Sequence, residues 1–123
     1  MFYALIVGSR TFEDLDLMFK KCDKLLINHA EVTVVSGGAR GADRLAKKYA
    51  KARNYKYVEF KADWENQGRS AGFKRNEEMH KFIAQFEHRG VIAFWDGESK
   101  GTAHNFQLAK RYGNEIRCIR FQK

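Results

Sequence analysis

The segment Val34-Val35-Ser36-Gly37-Gly38-Ala39-Arg40-Gly41-Ala42-Asp43 decides the fold. An apolar run enters a Ser-Gly-Gly turn, one basic residue follows, then a third glycine, and a helical pattern opens near Ala42. That order is a strand, a glycine-rich loop and a helix N-terminus. Such a junction exposes backbone N–H groups with little side-chain obstruction, and the helix dipole favours an anion there. The same Gly-Gly-x-x-Gly spacing also suits a tight turn that needs positive φ. It matches neither the G-x-G-x-x-G dinucleotide pattern nor a G-x-x-x-x-G-K-[ST] phosphate loop, which argues against a P-loop ATPase.

Outward from this segment the chain repeats the same grammar. Residues 3–7 are a continuous apolar run ended by Gly8, suited to a strand buried on both faces. Further strands are expected over 32–36, 57–60, 91–95 and 116–119. Residues 14–28 are helical, with Leu15, Met18, Phe19, Cys22, Leu25 and Leu26 recurring at spacings of three and four. A second helix spans 42–53, with Leu45, Ala46, Tyr49 and Ala50 inward and Asn54 in the C-cap region. An irregular loop over 61–69 precedes a third helix, capped by Ser70 and running to about His88. Its inward stripe is Gly72, Asn76, Met79, Ile83 and Phe86, with Phe82 alongside. A fourth helix covers 101–112.

Strict alternation of five strands and four helices predicts one α/β Rossmann-like domain over 1–123, a parallel sheet with helices on both faces and right-handed crossovers. In such a sheet ligands bind beyond the carboxyl ends of the strands, where the strand order reverses. The order 3-2-1-4-5 puts that reversal between strands 1 and 4. Gly8-Ser9-Arg10 then faces Asp96-Gly97-Glu98-Ser99-Lys100-Gly101-Thr102, with the 37–43 loop beside them.

Composition bounds the rest. At 123 residues with 44% hydrophobic content, the chain has enough apolar mass for a core. Proline is absent, so turns fall to Gly, Asn, Asp and Ser. A net charge of +8 attracts polyanions and small phosphorylated ligands, and equally serves as a solvated basic surface. Cys22 and Cys118 lack metal spacing and read as core thiols of a reducing compartment. With no signal-peptide pattern and no apolar stretch approaching the roughly 20 residues of a membrane span, a cytoplasmic protein without a membrane partner is expected.

The three loops carry the candidate chemistry. Arg40, between glycines, has the geometry of a phosphate fork. Asp43 is either a partner of the helix dipole or an acceptor for a ribose hydroxyl. Ser9, Arg10, Ser99, Lys100, Gly101 and Thr102 suit a phosphate, and equally a cap and a solvated loop. Arg75 and Asn76 lie on or beside a core stripe and so need partners, whether ligand or loop backbone. Trp64 serves as a base platform, a lid or a core residue. The expected ligand site is therefore Gly8, Ser9, Arg10, Gly37, Gly38, Arg40, Gly41, Asp43, Arg75, Asn76, Asp96, Gly97, Ser99, Lys100, Gly101 and Thr102. No carboxylates form an acid/base pair by spacing, and His29, His80, His88 and His104 show no metal pattern. No metal and no cofactor are expected. His104 alone of the histidines is expected near the rim.

Taken together, 7–10, 35–43, Ala71-Gly72-Phe73-Lys74-Arg75-Asn76 and Ser99-Lys100-Gly101-Thr102-Ala103 resemble the SLOG superfamily, which joins the DNA-processing protein DprA/Smf with the LOG phosphoribohydrolases. The match is nearest to the small stand-alone YspA-like branch, found in bacteria and their phages, and covers nearly the whole chain. The resemblance implies a Rossmann-like fold, a nucleotide-derived ligand such as a nucleoside phosphate or ADP-ribose, and homo-oligomers. LOG enzymes cleave an N-glycosidic bond with a Glu shortly after a Gly-Gly-x-Gly-Thr loop and an Arg on the preceding helix. Arg75 is similar to that Arg, but the Glu position is Asn105 here, which takes no proton. The resemblance thus favours a binder, as a sensor or a sequestering protein. A hydrolase that uses Arg75 with Asp96, or a DprA-like binder of single-stranded nucleic acid, stays open.

Overall fold

The computed structural model describes residues 1–122. Five strands form one parallel sheet, as the alternation predicts, in the expected order β3-β2-β1-β4-β5. They are β1 (Phe2–Gly8), β2 (Val32–Ser36), β3 (Lys56–Glu59), β4 (Arg89–Trp95) and β5 (Ile116–Arg120). The helices are α1 (Leu15–Leu26), α2 (Ala42–Ala52), α3 (Trp64–Gln67), α4 (Ala71–Ile83) and α5 (Lys100–Tyr112).

The central strands explain why their sequences are apolar without alternation. Ala4 and Ile6 face one layer with Val34, Ile92 and Phe94, under Met18 and Cys22 of α1 and Ala46 and Tyr49 of α2. Leu5 and Val7 face the other with Val35, Val91 and Ala93, under Met79 and Ile83 of α4 and Phe106 of α5. Each buried Val, Leu or Ile contributes roughly 1.5–3 kcal/mol through removal from water. Both faces of β1 are therefore anchored, and the loop it feeds at Gly8 starts from a fixed point.

Several boundaries differ from the expectation. The 61–69 segment is not wholly irregular. Asp63 caps a single turn of helix, its side chain accepting from Asn66 N at 3.3 Å, and a 3-10 turn over Gly68–Ser70 leads into α4. Ser70 does not cap with its side chain; its hydroxyl donates to Gln67 O at 2.9 Å. α4 stops at Ile83 rather than near His88. Phe86 leaves the helical path to stack on Tyr3 with ring centroids 3.7 Å apart, and Tyr3 N bonds His88 O, which starts β4 early at Arg89. Cys22 is buried, and burial pushes its thiol up to about 12. Cys118 is exposed, not a core thiol, because β5 is an edge strand that the helices do not cover. No described helix is long and apolar enough to cross a membrane.

Candidate functional site

The carboxyl ends of β1, β2 and β4 open into two adjoining cavities. The first, about 320 Å³, lies between the β1 and β4 loops and the starts of α4 and α5. It takes in Gly8, Ser9, Arg10, Asp43, Arg75, Asn76, Asp96, Ser99, Gly101 and Thr102, ten of the expected residues. The second, about 360 Å³, lies over the β2 loop and holds Gly37, Gly38 and Arg40, together with Lys61 and Glu59. Arg10, Ala39, Trp64 and Arg75 border both. Gly41, Gly97 and Lys100 border neither.

Backbone sterics hold the loops this close. Gly41 has φ +82°, and a Cβ there would stand 2.5 Å from Ser9 O, so α2 abuts the β1 loop only through a glycine. Ala42 N completes the junction by bonding Ser9 O at 3.2 Å. Gly97 turns with φ +87° beneath the Arg120 guanidinium, a part in the turn and not in the cavity. Lys100 is an exposed first residue of α5.

Arg75 is the one Lys or Arg buried among the described residues. Its Nη1 donates to Gly37 O at 2.8 Å and its Nε to Asn76 Oδ1 at 3.1 Å. Its Nη2 has no hydrogen-bond partner among the described residues, and the side chain borders both cavities. The guanidinium is thus fixed on one edge and available on the other. Burial works against its charge, and the nearby Asp43 carboxylate works for it. Gly37 is the space that makes this fit: a Cβ would lie 2.6 Å from Arg75 Nη1 and 2.8 Å from Asp43 Oδ2.

Asp43 is buried in the first turn of α2 and accepts Ala39 N at 3.3 Å. Burial pushes its carboxyl up to about 6, although Arg75 opposes the shift. Ser9 is buried and its Oγ accepts Asp96 N at 3.2 Å, which ties the β1 and β4 loops and leaves the serine proton as a donor. Asp96 Oδ1 accepts from Glu98 N and Ser99 N at 2.9 and 2.8 Å, so this carboxylate shapes the turn before α5. Ser99 caps α5, its Oγ accepting from Thr102 N.

A buried polar chain stands behind the first cavity. Asn105, on its wall, donates from Nδ2 to Gly101 O at 3.1 Å and accepts at Oδ1 from His80 at 3.0 Å. That requires the proton of His80 on Nε2, so its Nδ1 accepts from Asn114 at 3.1 Å. Burial pushes this imidazole down to about 4, so it is neutral at pH 7. No metal spacing selects His80, yet it sits one helical turn after Asn76 in α4. That spacing was the available signal. His104 lies beside the rim, edge-on to Phe73 at 4.7 Å, but does not line the cavity. The mouth carries exposed Trp64 and Phe73 with Arg69, and of these only Trp64 stood out from sequence. Among the described residues no three His, Cys, Asp or Glu side chains are grouped to hold a metal ion.

The arrangement offers a buried cationic fork, the Ser9 hydroxyl as a donor and an aromatic mouth, features suited to a small anionic ligand with a planar ring. The family described as "YspA, cpYpsA-related SLOG" matches residues 4–67. The Gene 61 protein of Mycobacterium phage D29 is 36% identical over 116 residues, covering 89% of this chain and 90% of that protein. Among solved structures, DNA processing protein A from Helicobacter pylori, described for its unique single-stranded DNA binding mode, superposes with a TM-score of 0.72 at 18% identity. That match covers 98% of this chain, which spans only 66% of the other. At such identity the likeness is one of fold.

Proposed function

The chain belongs to the YspA, cpYpsA-related SLOG family, and from the site built on that frame we propose that it binds a nucleotide or NAD-derived ligand such as ADP-ribose. The observation that carries this reading is Arg75: a buried guanidinium held by Gly37 O and Asn76, with Nη2 unbonded among the described residues and the residue bordering both cavities. A buried cation whose neighbouring carboxylate, Asp43, makes no ion-pair contact with it is costly, and an incoming phosphate relieves that cost. Ser9, Arg10 and Thr102 line the same cavity and would share the anion, with Asn76 and Asp96 toward the sugar. Trp64 and Phe73 flank the mouth, where a base would stack.

Isothermal calorimetry against nucleoside monophosphates, diphosphates and ADP-ribose tests the reading. Binding to at least one ligand is expected, and Arg75→Ala should weaken it by about 30-fold or more, since truncating one side of a buried charged contact costs roughly 2 kcal/mol upward. Arg75→Lys keeps the charge without the fork and should recover only part of the loss. No binding to any member, or binding indifferent to both variants that still melt cooperatively, would refute the proposal.

A second reading is binding of single-stranded nucleic acid, the property described for the Helicobacter pylori protein. It is favoured by the net charge of +8 and by Arg10, Arg40 and Lys61 on one rim. Its mark is an affinity that falls steeply with salt. Turnover is disfavoured: Asn105 has both amide ends engaged, and Asp96 is bound to its own turn.

A further inference from the structure

The nucleotide reading uses the first cavity and the Arg75 fork between the two. The second cavity remains, and its charge is lopsided. Arg10, Arg40, Lys61 and Arg75 border it against a single carboxylate, Glu59. Glu59 is itself engaged, because Tyr57 OH donates to its Oε1 at 2.9 Å. The floor is Gly38 at φ +72°, where a Cβ would lie 2.6 Å from the Glu59 carboxyl carbon. Its one aromatic neighbour, Trp64, also borders the first cavity, so a second base finds no platform of its own. Four cations around one small basin repel each other and gain from an anion between them.

We infer that the second cavity is a phosphate subsite, and that the ligand class is a nucleotide bearing a pyrophosphate. This rests on the nucleotide reading above. Base and sugar occupy the first cavity, one phosphate meets the free edge of Arg75, and the next passes Arg10 toward Arg40 and Lys61. Two phosphates in tandem also occur in a 5′-phosphorylated dinucleotide, and the test separates the two.

Calorimetry at fixed salt compares AMP with ADP, GMP with GDP, and a 5′-phosphorylated deoxydinucleotide, on the wild type, Lys61→Ala and Glu59→Gln. The diphosphate should bind about tenfold tighter than its monophosphate or better, the order of one added charge-assisted contact. Lys61→Ala should remove about threefold of that gain and leave the monophosphate within about twofold. Glu59→Gln, which removes the one anion while keeping the Tyr57 contact, should enlarge the gain. Equal mono- and diphosphate affinities, or variants that shift both alike, would overturn the inference while leaving the nucleotide reading intact. A greater gain for the dinucleotide would assign the cavity to a nucleic-acid chain and overturn it too. Failure of every nucleotide to bind would overturn the nucleotide reading and this inference with it.

Discussion

At the residue scale, Asp43 and His80 titrate in opposite senses within one pH window. Burial holds Asp43 at about 6 in the fold, against 3.8 for a free carboxyl, so the folded chain binds the extra proton. Stability from this group is present at low pH and is lost as pH rises toward 6, about 3 kcal/mol in all. Burial holds His80 at about 4 against 6.5, so its contribution is present above 6.5 and is lost as pH falls, again about 3 kcal/mol. The two nearly cancel between pH 4 and 6.5. Asp43→Asn removes one side: denaturation of this variant at pH 7 should show a gain of stability, and between pH 6.5 and 4 a fall that the wild type lacks. A wild-type profile parallel to that of the variant would contradict the assignment. Ligand affinity carries the same signature. An anion at Arg75 favours the protonated Asp43, so binding should weaken as pH rises through about 6, and Asp43→Asn should flatten that dependence relative to the wild type. Neither group was legible in advance as a titrating one. Burial set both, and a sequence shows spacing but not depth.

At the element scale, the site is made by loops that only glycine lets approach. Gly41→Ala meets both a positive φ and Ser9 O, and should cost about 2 kcal/mol or more while displacing Ser9 and Arg10 from the cavity. Gly101 has nothing within 4 Å of a built Cβ and sits in the first turn of α5. Gly101→Ala should therefore be neutral or stabilising by up to about 1 kcal/mol. Urea denaturation of the two variants checks the contrast, and equal costs would contradict it. These glycines were readable as a group, because each follows an apolar run and precedes a helical period. Their division of labour was not. Gly37 makes room for Arg75, Gly41 admits the β1 loop, and Gly97 only turns the chain. The end of α4 was equally hidden, since the stacking of Phe86 on Tyr3 joins residues 83 positions apart in effect only after β1 and β4 have paired.

At the scale of the whole molecule, the parallel sheet was the most legible feature. Alternating strands and helices, with continuous apolar runs in the central strands β1 and β4, require parallel pairing with crossovers; the expected order 3-2-1-4-5 is the one observed, although alternation alone also allows 2-1-3-4-5. From that order alone the β1, β2 and β4 loops converge on one rim. What the order does not reveal is that the rim divides in two at Arg75, or that α3 brings Trp64 over both halves. The charge of +8 has its consequence here as well. A pocket-bound mononucleotide should show a shallow salt dependence between 50 and 200 mM, whereas a strand tracking the basic rim should lose affinity by orders of magnitude. The most direct measurement of the central claim is a crystal structure with a nucleoside diphosphate. The account predicts a phosphate on Arg75 Nη2 and the base against Trp64 or Phe73. Ligand bound away from this rim, with Arg75 still bonded only to Gly37 and Asn76, would contradict it.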